Sequence, residues 1–365
     1  MADPTINAPA PKSPDAIGTG VTNNDAWLAQ RPAEAILEPE LPIVDPHHHL
    51  WDHKRHRYLL DELRADTGSG HRIVGTVFVD CMAFYRSSGP AALRPVGETE
   101  FANGVAAMCE SGVYGELRAC AGIVSFADLT LGAQVREVLQ AHIAAGGGPG
   151  GRFKGIRHAG GWDASPMIHN SHTRPGPGLY ADATFRQGFA QLAPLGLSFE
   201  AWQYHPQLPD VIALARAFPD TAIVLNHVGG PLGVGPYAGR SDDTFAQWRL
   251  HITELATCAN VTVKLGGLGM RIGPIGHHAL ALPPTSHEVA QAWRPWIEAC
   301  IEAFGPARCM FESNFPVDKM SCSYATLWNA FKHLAAGASA SEKADLFADT
   351  ARRVYRLWSP TLNLN

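Results

Sequence analysis

The sequence is short of charge, long apolar runs, paired-cysteine spacings and positive excess, and each shortage closes off a class of protein. Asp, Glu, Lys and Arg make up 17% of the 365 residues, against roughly 25% in an average domain. Apolar residues at 46% still suffice for a large core, which excludes disorder as the main state. No window approaches the roughly 18 consecutive apolar residues of a membrane span. A formal net charge of −5 argues against a nucleic-acid binder, which would carry a basic patch or stripe. The seven cysteines are odd in number and form no CxxC pair, so reduced, buried thiols of a cytoplasmic protein are expected rather than a disulfide framework. The opening MADPTINAPAPKSPDAIGTG has neither the basic nor the apolar region of a secretory signal.

What the chain does have is 36 Gly and 27 Pro, enough for many turns and long loops, and 17 His, the commonest metal ligand and the usual acid–base group at neutral pH. Residues 1–40 are rich in Ala, Pro, Asn and Asp and read as an extension that is partly disordered or packed on the surface. Beyond it, β-branched and apolar runs recur at 41–44, 73–79, 117–125, 153–157, 197–202, 222–226, 261–265 and 308–311. Between most of them lie segments of helical spacing, at 99–110, 131–145, 183–193, 209–217, 244–258 and 286–304, with a last one at 341–357. Eight strands alternating with helices predict an α/β fold of the (β/α)8 TIM-barrel class over 41–358. The unusual polar clusters fall just after the strand runs, at the end of the barrel where active sites lie. The rival doubly wound sheet would want a GxGxxG after the first strand, and none is present; GGGPGG at 146–151 is broken by Pro and reads as a loop.

Asp45-Pro46-His47-His48-His49 is the strongest chemical signal. Successive side chains of a strand alternate, so His47 and His49 share one face and can clasp a divalent ion. Asp45 on that face can orient a ligand histidine. Lys264 ends the seventh strand, where an unpaired buried ammonium would be costly. It therefore either holds an anionic substrate group or oxyanion, or forms an ordinary ion pair. Trp51, Trp162, Trp202 and Tyr204 follow strand ends and can line a pocket. His277-His278 reads as a surface loop or a lid.

The motifs PIVDPHHHLWD, GIRH, VLNHVGGP, VKLGGL and FESNFPVDK together resemble the amidohydrolase superfamily. More narrowly they resemble its amidohydrolase-related branch of TIM-barrel hydrolases, which includes sugar-lactone and pyrone-dicarboxylate or muconolactone hydrolases; decarboxylases of the amino-carboxymuconate-semialdehyde type share the scaffold. The resemblance spans about residues 43–357. It implies His47 and His49 as metal ligands where metal is present, with His205 as the nearest match to a third. It implies His227 as the histidine that meets substrate or attacking water, and Arg157 as the holder of a substrate carboxylate or carbonyl. His205 as a loop residue and Arg157 as partner of a barrel-mouth carboxylate remain open.

The eighth strand departs from the family's Gly-Ser-Asp-Trp-Pro. Here it reads Glu312-Ser313-Asn314-Phe315-Pro316, and a neutral amide at Asn314 is neither a general base nor a good metal ligand. Glu312 is expected to supply the missing carboxylate, as base or as anchor for a neighbouring histidine; the alternative is a plain ion pair with Arg157 or Lys264. The whole implies hydrolysis of a small carboxylate-bearing substrate, a lactone or cyclic ester, with one divalent ion, zinc first, and a metal-independent route left open. The runner-up is non-oxidative decarboxylation on the same histidines. Neither nucleic acid nor membrane is an expected partner; a homo-oligomer is left open.

Overall fold

Eight of the short β-branched runs pair side by side as one parallel sheet. The computed structural model describes residues 24–53 and 56–358. Its strands are β1 (Ile43–His48), β2 (Trp51–His53), β3 (His56–Tyr58), β4 (Ile73–Val79), β5 (Arg118–Ser125), β6 (Phe153–Arg157), β7 (Ser198–Ala201), β8 (Ile223–Leu225), β9 (Val261–Leu265) and β10 (Cys309–Phe311). Sheet order is β1-β4-β5-β6-β7-β8-β9-β10, with every neighbouring pair parallel. The ring is completed beyond the strand ends, where Asn314 N donates to His47 O at 2.9 Å and His49 N to Phe315 O at 2.8 Å. A parallel barrel buries both faces of its strands, and all residues of β1, β6, β7, β8 and β10 are buried.

Around the barrel run α2 (Leu60–Thr67), α3 (Val96–Glu110), α4 (Val135–Ala145), α5 (Ala183–Phe189), α6 (Leu208–Ala217), α7 (Ser241–Leu255), α8 (Ser286–Phe304) and α9 (Tyr324–Leu334), with α1 (Asp25–Leu28) ahead of them and α10 (Ala340–Ala344) and α11 (Thr350–Val354) after. α8 begins where Thr285 and Glu288 cap each other reciprocally, which makes its start legible. The eight barrel strands lie within a few residues of the predicted runs. The antiparallel hairpin β2–β3, α2 and α9 are additional to the predicted elements. Three-residue strands and an eight-residue helix give too short a pattern to read.

The last predicted helix, 341–357, is broken. Residues Asp345–Asp349 take a wider π-type turn between α10 and α11. This brings Ala348, Ala351 and Tyr355 into one interior cluster with Val44, Val77, Val79, Val124, Val224 and Met310 of the barrel strands. The C-terminal segment thus helps fill the barrel from below. Lys154 reaches that segment (Nζ to Arg356 O, 3.5 Å), whereas Arg157, three residues on, serves the mouth.

Of the 1–40 extension, residues 1–23 lie outside the described residues. The remainder is tied down: Asn24 Nδ2 donates to Lys319 O (2.8 Å), Arg31 Nε to Pro283 O (2.7 Å), and buried Lys332 to Leu37 O (2.6 Å) and Glu38 O (2.9 Å). All seven cysteines are buried and free. Among the described residues, no helix is long and apolar enough to cross a membrane.

Candidate active site

The C-terminal ends of the strands surround a cleft. Its floor rests on β1, β8 and β10: His227 lines the cleft, and His47 and Glu312 lie fully buried beneath it. Here Glu312, one residue past β10 and fully buried, meets two histidines. His227 Nδ1 lies 2.7 Å from Glu312 Oε1, and the His227 backbone N–H donates to the same oxygen at 3.0 Å. His47 Nδ1 lies 2.7 Å from Glu312 Oε2. That second contact is not aligned as a hydrogen bond, so Oε2 is a buried carboxylate oxygen with no hydrogen-bond partner among the described residues. The ligand atoms of His47, His227 and Glu312 all lie within 4.8 Å of one another.

Local backbone makes this meeting possible. His227 (φ 53°), Val228 (φ 47°) and Asn314 (φ 55°) are left-handed non-glycine residues at the ends of β8 and β10, a costly conformation that recurs where side chains must be aimed. The two glycines after Lys264 leave room. A Cβ on Gly267 would lie 2.4 Å from His227 Nδ1, and one on Gly266 would lie 2.4 Å from Glu312 O. Bulk at either position would displace the pair.

Burial, before any neighbouring charge, holds His47, His49 and His227 well below the usual histidine range; Lys264 adds to this at His47 and Arg157 at His227. All three are neutral imidazoles at pH 7. Burial also pushes Glu312 up to about 8, against the pull of Lys264. A carboxyl with that proton affinity is mostly protonated at pH 7 and accepts a proton only in its ionised form, which takes over above about pH 8.

The cations beside this group are already paired. Lys264 Nζ lies 2.8 Å from Glu200 Oε2 and 3.3 Å from His47 Nδ1, fully buried beneath the floor. Glu200 also accepts from Tyr355 Oη and Asn226 Nδ2. Arg157 donates from Nε to Asp80 Oδ1 at 2.6 Å and from Nη2 to Asp80 O, leaving Nη1 3.4 Å from His47 Nε2. Burial raises the Asp80 carboxyl, but Arg157 and His172 outweigh it and hold Asp80 well below the usual range. With Lys264 matched by Glu200 and Arg157 by Asp80, Glu312 has no cation of its own in this group.

The residues singled out in the sequence are distributed as follows. His49, Trp51, Arg157, Tyr204, His227 and Asn314 line the cleft. His49 Nδ1–H donates to Val79 O (2.8 Å); its ring meets the His47 ring edge-on, with centroids 5.0 Å apart, and stacks on Trp51, but it does not touch Glu312. His205, expected beside His47 and His49, is not brought to them. The strand ends at Ala201, four residues earlier, and His205 opens a 3-10 turn. Its Nδ1 accepts from Leu232 N (3.2 Å) and its ring meets Tyr237 edge-on. Asn314 is held by Asp318, with Nδ2 to Oδ1 at 2.9 Å. Asp45 takes Tyr324 Oη (2.9 Å) and Ser313 N (3.0 Å), bracing β1 against β10 rather than orienting a histidine ring. His277 sits buried in a short 3-10 turn of the 266–285 loop.

Two further residues, His172 in the cleft wall and Asp80 buried behind it, carry no signal in the sequence. Asp80 directly follows β4, the position that holds a polar cluster at most other strands, but a lone Asp among VFVDCM has no spacing to mark it. His172 lies in the long 158–178 loop and reaches Asp80 Oδ2 at 2.9 Å through Nε2.

Comparison with known proteins fits this geometry. A model of the amidohydrolase family matches residues 44–357. An uncharacterized protein of Sinorhizobium fredii, y4mH, is 32% identical over 334 residues, covering 87% of this chain and 99% of that one. The L-fucono-1,5-lactonase of Burkholderia multivorans is 31% identical over 188 residues, 49% of this chain and 58% of the lactonase. Among solved structures, a zinc-bound amidohydrolase from Burkholderia multivorans superposes with a TM-score of 0.66 at 24% identity, over 87% of this chain and 99% of that one. A putative 2-pyrone-4,6-dicarboxylic acid hydrolase from Pseudomonas putida gives 0.57 at 16% identity, over 87% and 98%. An eight-stranded parallel barrel, a histidine-rich mouth and a family match over nearly its whole described length make this chain a member of the amidohydrolase family, a hydrolase built on a TIM barrel.

Proposed function

We propose that this enzyme opens a lactone or similar cyclic ester of a small organic acid by attack of water on the ring carbonyl. The observation that carries the proposal is Glu312 fixed between His47 and His227 at the floor of a cleft. Lactonase relatives support the substrate class: beside the L-fucono-1,5-lactonase, an L-rhamnono-gamma-lactonase of Scheffersomyces stipitis is 29% identical over 113 residues.

Each residue has a task in that reaction. Glu312, in its ionised form, receives the water proton, and His227, locked by Glu312, keeps the water oriented. Arg157, its other nitrogens committed to Asp80, has Nη1 for the carbonyl oxygen, where negative charge develops as the tetrahedral intermediate forms. A donor fixed in advance needs no reorganisation as that charge appears. Lys264 holds the floor in place through Glu200 rather than meeting substrate. The walls carry Trp51, Trp202 and Tyr204, and Arg271 joins Arg157 among the lining residues, which include no Asp or Glu. Such a lining suits a substrate with a carboxylate.

The floor also fits one divalent ion. His47, His227 and Glu312 would hold it, since two imidazoles and a carboxylate are a donor set for zinc, and Glu312 has an unpartnered oxygen. A bound ion would lower the pKa of a water or polarise the carbonyl. A panel of aldonolactones and carboxylated lactones, followed by proton release, tests the reading. Acid release without CO2 supports it, and CO2 release from a carboxylated substrate favours a decarboxylase instead.

A further inference from the structure

Opening an aliphatic lactone requires two proton transfers, one from the attacking water and one to the departing ring oxygen. The Glu312 group accounts for the first. The cleft contains a second carboxylate–imidazole pair, and it stands on the other side of Arg157. Asp80 is fully buried and divides its carboxylate: Oδ1 takes Arg157 Nε at 2.6 Å and Oδ2 takes His172 Nε2 at 2.9 Å. Arg157 in turn has Nη1 3.4 Å from His47 Nε2. The sequence of contacts is therefore water-activating group, carbonyl clamp, second dyad.

The loop that carries His172 is anchored on both sides of it. Ser171 N donates to Gly161 O at 2.8 Å, Thr173 Oγ1 donates to Ala159 O, and Arg174 N donates to Ser171 O at 2.7 Å. A Cβ on Gly161 would lie 2.4 Å from Ser171 Oγ and 3.2 Å from the Tyr204 ring, so the glycine lets this loop sit down onto the cleft. With Nε2 committed to Asp80, the His172 ring lines the cleft with Nδ1 available to substrate.

We infer that His172, clamped by Asp80, is the general acid that protonates the departing ring oxygen. This rests on the reading of the site as a lactone hydrolase. The steps balance. Water oxygen bonds to the acyl carbon as the carbonyl electrons move onto the oxygen facing Arg157, and one water proton passes to Glu312. The acyl–oxygen bond then breaks, and the ring oxygen takes a proton from His172 Nδ1 while Nε2–H stays on Asp80. Glu312 returns its proton to solvent and His172 regains one, so lactone plus water gives a hydroxy acid. The charged and titratable groups around His172 are Asp80, Arg157 and His158; burial holds His158 at about 4, so it is neutral at pH 7.

Leaving-group dependence separates this role from a structural one. The full-length protein and its His172→Gln and His172→Gly variants are compared on an aldonolactone, which expels an alkoxide, and on dihydrocoumarin, which expels a phenoxide that needs no acid. The expected result is a kcat/KM loss of about 10²-fold or more on the aldonolactone and within a few-fold on dihydrocoumarin. Added imidazole should restore His172→Gly on the aldonolactone. Equal losses on both lactones, with no rescue of His172→Gly by imidazole, would overturn the role of His172 alone. A wild-type enzyme that opens neither lactone would overturn the lactonase reading and the assignment with it.

Discussion

His227 meets Glu312 twice: its ring Nδ1 lies 2.7 Å from Oε1, and its backbone N–H reaches the same oxygen at 3.0 Å. A carboxylate held by both parts of one residue sets that residue's ring plane as well as its tautomer, leaving Nε2 as a lone pair at the cleft. The second oxygen faces His47. One carboxylate therefore holds His227 by two hydrogen bonds while its other oxygen stays unbonded beside His47.

Glu312→Gln keeps the shape and removes the charge. Turnover is expected to fall about 10²–10⁴-fold, and metal retained after dialysis, measured by elemental analysis, to fall by about 10–100-fold in affinity. Wild-type protein treated with chelator should lose activity and regain it with zinc. A Glu312→Gln enzyme with unchanged rate and metal content would remove Glu312 from the chemistry.

Gly267→Ala puts a methyl group against the His227 ring and forces a side chain onto a φ of +69°. About 1–3 kcal/mol of stability should be lost, with a drop in kcat from displacement of His227. Urea unfolding and steady-state kinetics on the same preparation check both. A variant of wild-type rate would mean that His227 is not held in place from this side.

Lys264 and Glu200 lie fully buried with Nζ and Oε2 2.8 Å apart. Breaking such a pair strands one charge, so Lys264→Met should cost about 3–5 kcal/mol in denaturant unfolding. Lys264→Met/Glu200→Gln should recover most of it. A cost below about 1 kcal/mol for the single change, the level of an exposed pair, would contradict the pairing.

His142 supplies the acid limb of stability. Its Nδ1 accepts from Thr99 Oγ1 at 2.7 Å and its Nε2–H donates to Phe126 O at 3.1 Å, so the buried ring is satisfied as a neutral imidazole. Burial holds its pKa at about 4, below the usual 6.5. Since the folded state binds the proton more weakly, this contribution is complete above pH 6.5 and is lost as pH falls toward 4, at about 1.4 kcal/mol per pH unit. His142→Gln should be less stable than wild type at pH 7 and lose less between pH 7 and 4.5. An identical pH dependence in both would count against this.

Much of the architecture is legible in the amino-acid sequence. The barrel shows because eight β-branched runs recur with helical segments between them, and His47 and His49 show because strand residues alternate faces. Glu312 stands out as a charge in a run that ends the eighth strand. What stays hidden depends on backbone that no pattern reports. His205 lies past the end of β7, where alternation no longer applies. His227 and Asn314 take left-handed conformations that aim their neighbours. Asp80 and His172 are 92 positions apart and meet only through the fold.

The most direct test is hydrolysis in H2(18)O. An aldonolactone or carboxylated lactone opened by the wild-type enzyme should give a hydroxy acid with one (18)O in its carboxylate and no CO2, at a rate that collapses in Glu312→Gln. CO2 release from a carboxylated substrate, or acid formation no faster than the uncatalysed reaction across the lactone panel, would contradict water attack on a lactone carbonyl at this site.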